Sequence, residues 1–243
     1  MDPITALIAS SKIKVGLWGK DFFTFLTTNF EWFFDAIANG LTYVLQGLIN
    51  ILLWMPPVVV VLAIAALAWG LQRSWKLAVG VALGLAFIIN QGLWKETVET
   101  LVLVVGAAAA SMAIGVPVGI WAAHSERGYR YLQPILDLMQ TMPTFVYLIP
   151  ILILFGLGAA PALIVTIIFA MPAPVRMTYL GITSIPKPMI EAGESFGATK
   201  WQLLWKVELP AASPPIIAGI TQCATLSESM VGSAELLVAD GPC

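Results

Sequence analysis

The chain has 243 residues, 59% hydrophobic and only 11% charged, with 12 basic and 14 acidic side chains and a formal net charge of −2. A soluble protein carries about a quarter charged residues, so these charges are too few to cover a globule of 26.1 kDa. Together with a mean hydropathy of +0.88 and only two cysteines, this excludes a disordered chain, a nucleic-acid binder and a disulfide scaffold, and leaves an integral membrane protein.

Residues 1–29 lack the basic start, apolar core and small-residue cleavage site of a secretory signal. In the next segment, 30–54, the polar residues Glu31, Asp35, Asn39, Thr42, Gln46 and Asn50 recur every three or four positions. They form one stripe along a helix whose remaining surface is apolar. Such a helix is expected to lie in the membrane interface; the alternative is a tilted spanning helix with its stripe against other protein. Pro56 and Pro57 end it. The expected organisation is therefore a tail and amphipathic interfacial helix over 1–56 and a transmembrane domain over 57–243.

Charge-free gaps then set the spans. A helix needs about 20 apolar residues to cross the hydrocarbon core. The gaps predict spans at 57–72, 77–94, 98–123, 133–156 and 160–176, with a sixth apolar stretch at 211–238. The fold class expected is an all-α polytopic helix bundle. Gly80-xxx-Gly84 and Gly115-xxx-Gly119 read as places where helix backbones approach closely. Pro117, Pro143, Pro150 and Pro172 fall inside apolar spans, where kinks are expected.

Basic residues orient the bundle. Arg73 and Lys76 join the first two spans, Arg127 and Arg130 join the third and fourth, and Lys187, Lys200 and Lys206 lie in a long polar loop. The positive-inside rule puts that loop in the cytoplasm. An interfacial 30–54 helix would leave the N-terminus outside.

The loop over 185–210 carries the most information. Pro186 and Pro188 suit the start of a short helix over 189–196, and Gly197 suits its left-handed stop. Thr199 caps a second helix over 200–207, which Leu209-Pro210 is expected to end. Two helices this short need a partner to pack against. Ala192 and Gly193 are small enough for another protein to come close, and Glu191, Glu194, Lys187 and Lys200 surround them with charge.

Glu191-Ala192-Gly193, then Gly197, then nine residues, Val207, Glu208 and Leu209-Pro210 resemble the "EAA" signature of permease subunits in ABC importers. Gly193 stands where the usual form has a second Ala. The blocks Gly119-Ile120-Trp121, LDLMQTMPTFVYL over 136–148 and IIFAMP over 167–172 are similar to the glycine betaine/proline betaine/choline permeases. The resemblance covers residues 30–222, and the 136–148 block makes it specific. It implies a permease homodimer in the bacterial cytoplasmic membrane, cytoplasmic ATP-binding subunits docked on the EAA loops, and an external substrate-binding protein. Glu191, Ala192, Gly193, Gly197, Leu209 and Pro210 are then the coupling residues, and the solute is choline or glycine betaine. Other readings are a permease for another small solute, a gated osmolyte channel and a membrane scaffold.

No enzyme is expected in this chain. Its only Gly-Lys pair, Gly19-Lys20, is followed by Asp21 rather than the Ser or Thr of a phosphate loop. No catalytic or metal constellation stands out, and no cofactor is expected. Cys223 and Cys243 read as inert, and the sole histidine, His124, as a solvated loop residue. Most of the nine Trp sit near predicted helix ends, as in an interfacial belt. Phe145 and Tyr147, beside Pro143 in a predicted span, are the pathway candidates.

The resemblance breaks after the loop. Glu228 and Glu235 fall seven apart on one face of the last apolar stretch, where the family is apolar, and the family's further helix is absent. An uncompensated carboxylate at bilayer depth costs roughly 3 kcal/mol. The expectation is either a functional acidic pair or an altered, truncated end.

Overall fold

A computed structural model describes residues 15–239, with side chains of residues 15, 126 and 234–239 outside the description. The described residues form helices joined by short turns, with no strand. In chain order these are α1 (Val15–Asn29), α2 (Glu31–Trp54), α3 (Pro57–Gln72), α4 (Trp75–Asn90), α5 (Trp94–Ala123), α6 (Glu126–Thr141) and α7 (Thr144–Phe155). There follow α8 (Ala159–Ala170), α9 (Pro172–Thr183), α10 (Lys187–Ser195), α11 (Lys200–Leu203), a π-helical turn at Leu204–Glu208, and α12 (Leu209–Ala239).

Three of these segments are long and apolar enough to cross a membrane among the described residues: α2, α5 and the continuous α8–α9 rod, Ala159–Thr183. Pro172 begins α9 without interrupting that rod, because Met171 keeps right-handed helical geometry (φ −54°, ψ −36°). A proline at the first helical position lacks only an N–H with no obligatory helical partner. The centre of the bundle is α5, α8, α9 and α12. Val98, Val102, Leu103, Ala107, Leu163 and Val231 form one buried cluster, and Leu148, Ala162, Val165 and Met230 a second.

Glycines set the closest helix approach. A Cβ on Gly115 would lie 2.7 Å from Pro174 Cγ, and one on Gly119 would lie 2.6 Å from Thr178 Cβ and 2.7 Å from the Val175 carbonyl. The second GxxxG pair therefore seats α9 directly on the α5 backbone, as its spacing predicts. The first pair is different. Nothing lies within 4 Å of a Cβ on Gly80 or Gly84. The α3–α4 hairpin packs mainly on itself, and each of its helices has 16 residues. At about 1.5 Å per residue, each is shorter than a hydrocarbon core of ~30 Å.

The 30–54 helix has its Leu45 buried in the first core cluster, with Leu41, Ile49, Leu52 and Leu53 packed around it, while Glu31, Asp35, Asn39, Gln46 and Asn50 are exposed. Trp32, Tyr43, Val44, Ile51 and Trp54 of the same helix are exposed, so only a narrow apolar strip around Leu45 packs on α5 and α8 and the rest of its apolar surface faces outward with the polar stripe.

The predicted 133–156 span is not one helix. It is broken between α6 and α7, whose axes differ by 93°. The cause is local: a residue before proline is driven out of the helical region, and Met142 is extended (φ −75°, ψ 137°) before Pro143. Pro143 itself is also extended (ψ 144°), so the chain turns sharply instead of kinking.

Candidate functional site

The loop between α9 and α12 is built as two short helices folded on each other. Pro186 caps α10 and Pro188 occupies its first turn. Its C-terminal stop is a closed six-residue motif: Gly197 N–H donates to the Glu194 carbonyl (2.8 Å) and Ala198 N–H to the Gly193 carbonyl (3.2 Å). That arrangement needs the left-handed backbone of Gly197, at φ +77°. Thr199 then opens α11 with a reciprocal box. Its hydroxyl accepts from Gln202 N–H (3.3 Å), while Gln202 Oε1 accepts from Thr199 N–H (2.9 Å).

Leu209-Pro210 does not end the second helix, contrary to expectation. The chain passes through the π-helical turn into α12 without a break, and Leu209 N–H donates to the carbonyl of Leu204, five residues back. Widening the turn is a way for a helix to carry a proline, because the ring no longer has to sit on the carbonyl four residues before it. Leu209 is half-buried and Pro210 exposed as the first two residues of α12.

The predicted coupling residues divide into two faces. Glu191, Ala192, Glu194 and Gly197 are exposed. Neither glutamate forms an ion pair among the described residues. Gly193 faces inward instead: a Cβ there would lie 2.7 Å from Leu203 Cδ1 and 3.6 Å from Val207 Cγ2. Its smallness serves the packing of α10 on the α11 segment, not the outer surface. Composition alone did not expose the residue beside it. Phe196, at the α10 terminus, is 93% exposed, and Met189, Trp201 and Trp205 are also largely exposed on the same two-helix unit. Trp201 and Trp205 meet edge to face at 5.7 Å.

Behind this unit lies a contact between distant parts of the chain. Glu208 is 5% exposed, and its Oε2 lies 3.0 Å from His124 Nε2 at the end of α5. His124 is thus not a free loop residue. Its other ring nitrogen, Nδ1, is 2.8 Å from the Ile120 carbonyl.

The two pathway candidates also separate. Phe145 is half exposed on α7. Tyr147 turns inward, where its hydroxyl donates to the Met139 carbonyl (2.7 Å) and its ring meets Phe169 edge to face. Nearby, α6 is fixed to α9 by an ion pair between Asp137 and Arg176 and by stacked Tyr129 and Tyr179 rings, 3.4 Å apart and within 3° of parallel.

Of the two unexpected carboxylates, Glu228 is exposed on α12. It lines an open groove of about 490 Å³ with Leu93, Glu96, Thr97, Thr100, Leu101 and Val104 of the α5 end. Glu235 and Cys243 lie outside the described side chains, while Cys223 is buried with a free thiol. No group of three His, Cys, Asp or Glu is placed to hold a metal ion among the described residues.

A broken span, glycine-seated core helices and a two-helix loop on a long final helix meet their counterpart in sequence comparison. The family of binding-protein-dependent transport system inner membrane components matches residues 115–241, from Gly115 through the loop and into α12. The chain belongs to this family. It is 43% identical to the glycine betaine transport system permease protein OpuAB of Bacillus subtilis, over 90% of this chain and 78% of that protein. It is 39% identical to the glycine betaine/proline betaine transport system permease protein ProW of Escherichia coli, over 94% of this chain and 64% of that longer protein. The glycine betaine/carnitine transport permease protein GbuB of Listeria monocytogenes is 40% identical over 88% of this chain and 77% of its own length. The permease is therefore a multi-pass membrane protein, and the relatives it matches are named as transport permeases.

Proposed function

We propose that this permease is the membrane-spanning subunit of an ATP-driven importer for a compact quaternary ammonium osmolyte, glycine betaine before choline. Two copies form the pathway in the bacterial inner membrane, an external binding protein delivers the solute, and ATP is hydrolysed on separate cytoplasmic subunits. This chain holds no cofactor of its own. The observation that carries the substrate class is the 43% identity to a glycine betaine permease over 90% of the chain. Glycine betaine is named before choline because the three relatives above carry glycine betaine, and none carries choline, in their names.

Coupling is assigned to the α10–α11 unit. Its outer face offers the small Ala192 between Glu191 and Glu194, with Phe196 projecting at the end. A fully exposed aromatic beside a small-residue helix is the form of an anchor that fills a partner's pocket. Rigid movement of that partner then moves the unit as a body.

Co-purification tests the assignment. The permease is expected to bring down a nucleotide-binding subunit, and Phe196→Asp to lose it while still inserting in the membrane. A gated osmolyte channel would need no such subunit and would conduct without ATP.

A further inference from the structure

Glu208 is the only carboxylate, lysine or arginine side chain that the fold buries among the described residues. A buried carboxylate is costly unless it is paired, and its Oε2 has no aligned hydrogen-bond donor among the described residues. What faces it is His124 Nε2, in ion-pair contact at 3.0 Å. The imidazole is already oriented from its other side. A backbone carbonyl can only accept, so Nδ1 carries a hydrogen toward the Ile120 oxygen, 2.8 Å away. Nε2 is thereby left facing the Glu208 carboxylate at contact distance.

The position of this pair gives it a use. Glu208 is the last residue of the π-helical turn, so the widened turn carries it next to the α5 end. On the loop side, Val207 and Leu203 lie against Gly193 of α10. On the bundle side, His124 follows directly on the α5 turn whose Gly119 is seated on Thr178 of α9. We propose that His124 and Glu208 are positioning residues that tie the coupling unit to α5, so that displacement of α10 and α11 is passed to the bundle through this polar contact. The unit is otherwise continuous with the bundle through its two chain connections.

The inference rests on the proposed importer function, and the experiment separates the two. The permease, with the ATP-binding subunit and binding protein that assemble with it, is reconstituted in proteoliposomes as wild type, His124→Gln, Glu208→Gln and the double variant. Solute moved per ATP hydrolysed is measured alongside ATPase binding. The expected result is unchanged ATPase binding, with ATP hydrolysis within about twofold of wild type. Solute moved per ATP should fall about tenfold in each single variant, with no further loss in the double. Unchanged solute per ATP in both single variants, or losses that multiply in the double, overturns the tie alone. A wild-type permease that binds no ATPase overturns the importer reading and the tie with it.

A second measurement does not depend on the variants folding. His124 is the only histidine in the chain, so the imidazole ¹⁵N resonances of tag-free wild-type permease, labelled alone and assembled with unlabelled partner subunits, report on it directly. Protonated Nδ1 and a hydrogen-bonded Nε2 that changes when nonhydrolysable ATP closes the ATPase support the tie. Nitrogen signals of a freely exchanging, solvent-exposed ring in both states contradict it.

Discussion

The Tyr147 hydroxyl donates to the Met139 carbonyl at 2.7 Å, across the break between α6 and α7. In an unbroken helix that carbonyl would receive the N–H of residue 143, but residue 143 is proline and has none. Tyr147 replaces the missing donor from the far side of a 93° turn. In a region without water, an unsatisfied carbonyl is expensive, so the bend and the tyrosine belong together.

Tyr147→Phe keeps the ring against Phe169 and removes only this donor. The expected cost is about 1–3 kcal/mol, that of a buried acceptor left alone, seen as a lower Tm of the detergent-solubilised protein. An unchanged Tm contradicts the role given to the hydroxyl.

Glycines on two helices provide an internal contrast. At Gly119 a Cβ meets Thr178 Cβ and a carbonyl, neither of which is the free end of a flexible side chain. Gly119→Ala should therefore cost about 1–3 kcal/mol through overpacking. Gly84→Ala faces open space and should be neutral, or stabilising by up to about 1 kcal/mol through helix propensity. Thermal unfolding of the two variants in parallel checks both signs.

Within the coupling unit, the two glycines serve different ends. Gly197→Ala forces an alanine into a left-handed backbone at φ +77°, at a cost of roughly 1–2 kcal/mol. Gly193→Ala needs only Leu203 Cδ1, the end of a flexible side chain, to move aside, which agrees with the Ala that the EAA signature usually places there. Transport should fall several-fold in the first variant and stay within about twofold in the second.

Phe196→Ala removes an aromatic that is 93% exposed and supports nothing inside the permease. Tm should not change. Affinity for the ATP-binding subunit should fall about tenfold or more, the range of an interface anchor. Titration of the labelled subunit onto permease in nanodiscs measures it.

The membrane class, the Gly197 stop, the Thr199 cap and the Gly115/Gly119 seat are all legible in the sequence, because each follows from charge spacing or from one residue's backbone chemistry. The misses have a common cause. Pro143 signals a disturbed helix, but whether it kinks or turns depends on a donor four residues later that can reach back. Leu209-Pro210 looks like a stop until the turn before it widens. His124 and Glu208 are separated by more than eighty positions, so no local pattern pairs them. The amphipathic stripe of α2 marks its polar face correctly, but not that a narrow strip around Leu45 packs on α5 and α8.

The central claim is ATP-driven movement of a quaternary ammonium solute, and vesicle uptake tests it most directly. Permease, ATP-binding subunit and binding protein are reconstituted together, and labelled glycine betaine uptake is followed with ATP, without ATP and with a nonhydrolysable analogue. The account predicts saturable uptake with ATP alone, competed by unlabelled glycine betaine and lost in Phe196→Asp. Equal uptake without ATP, or ATP-dependent uptake indifferent to glycine betaine as competitor, would contradict it.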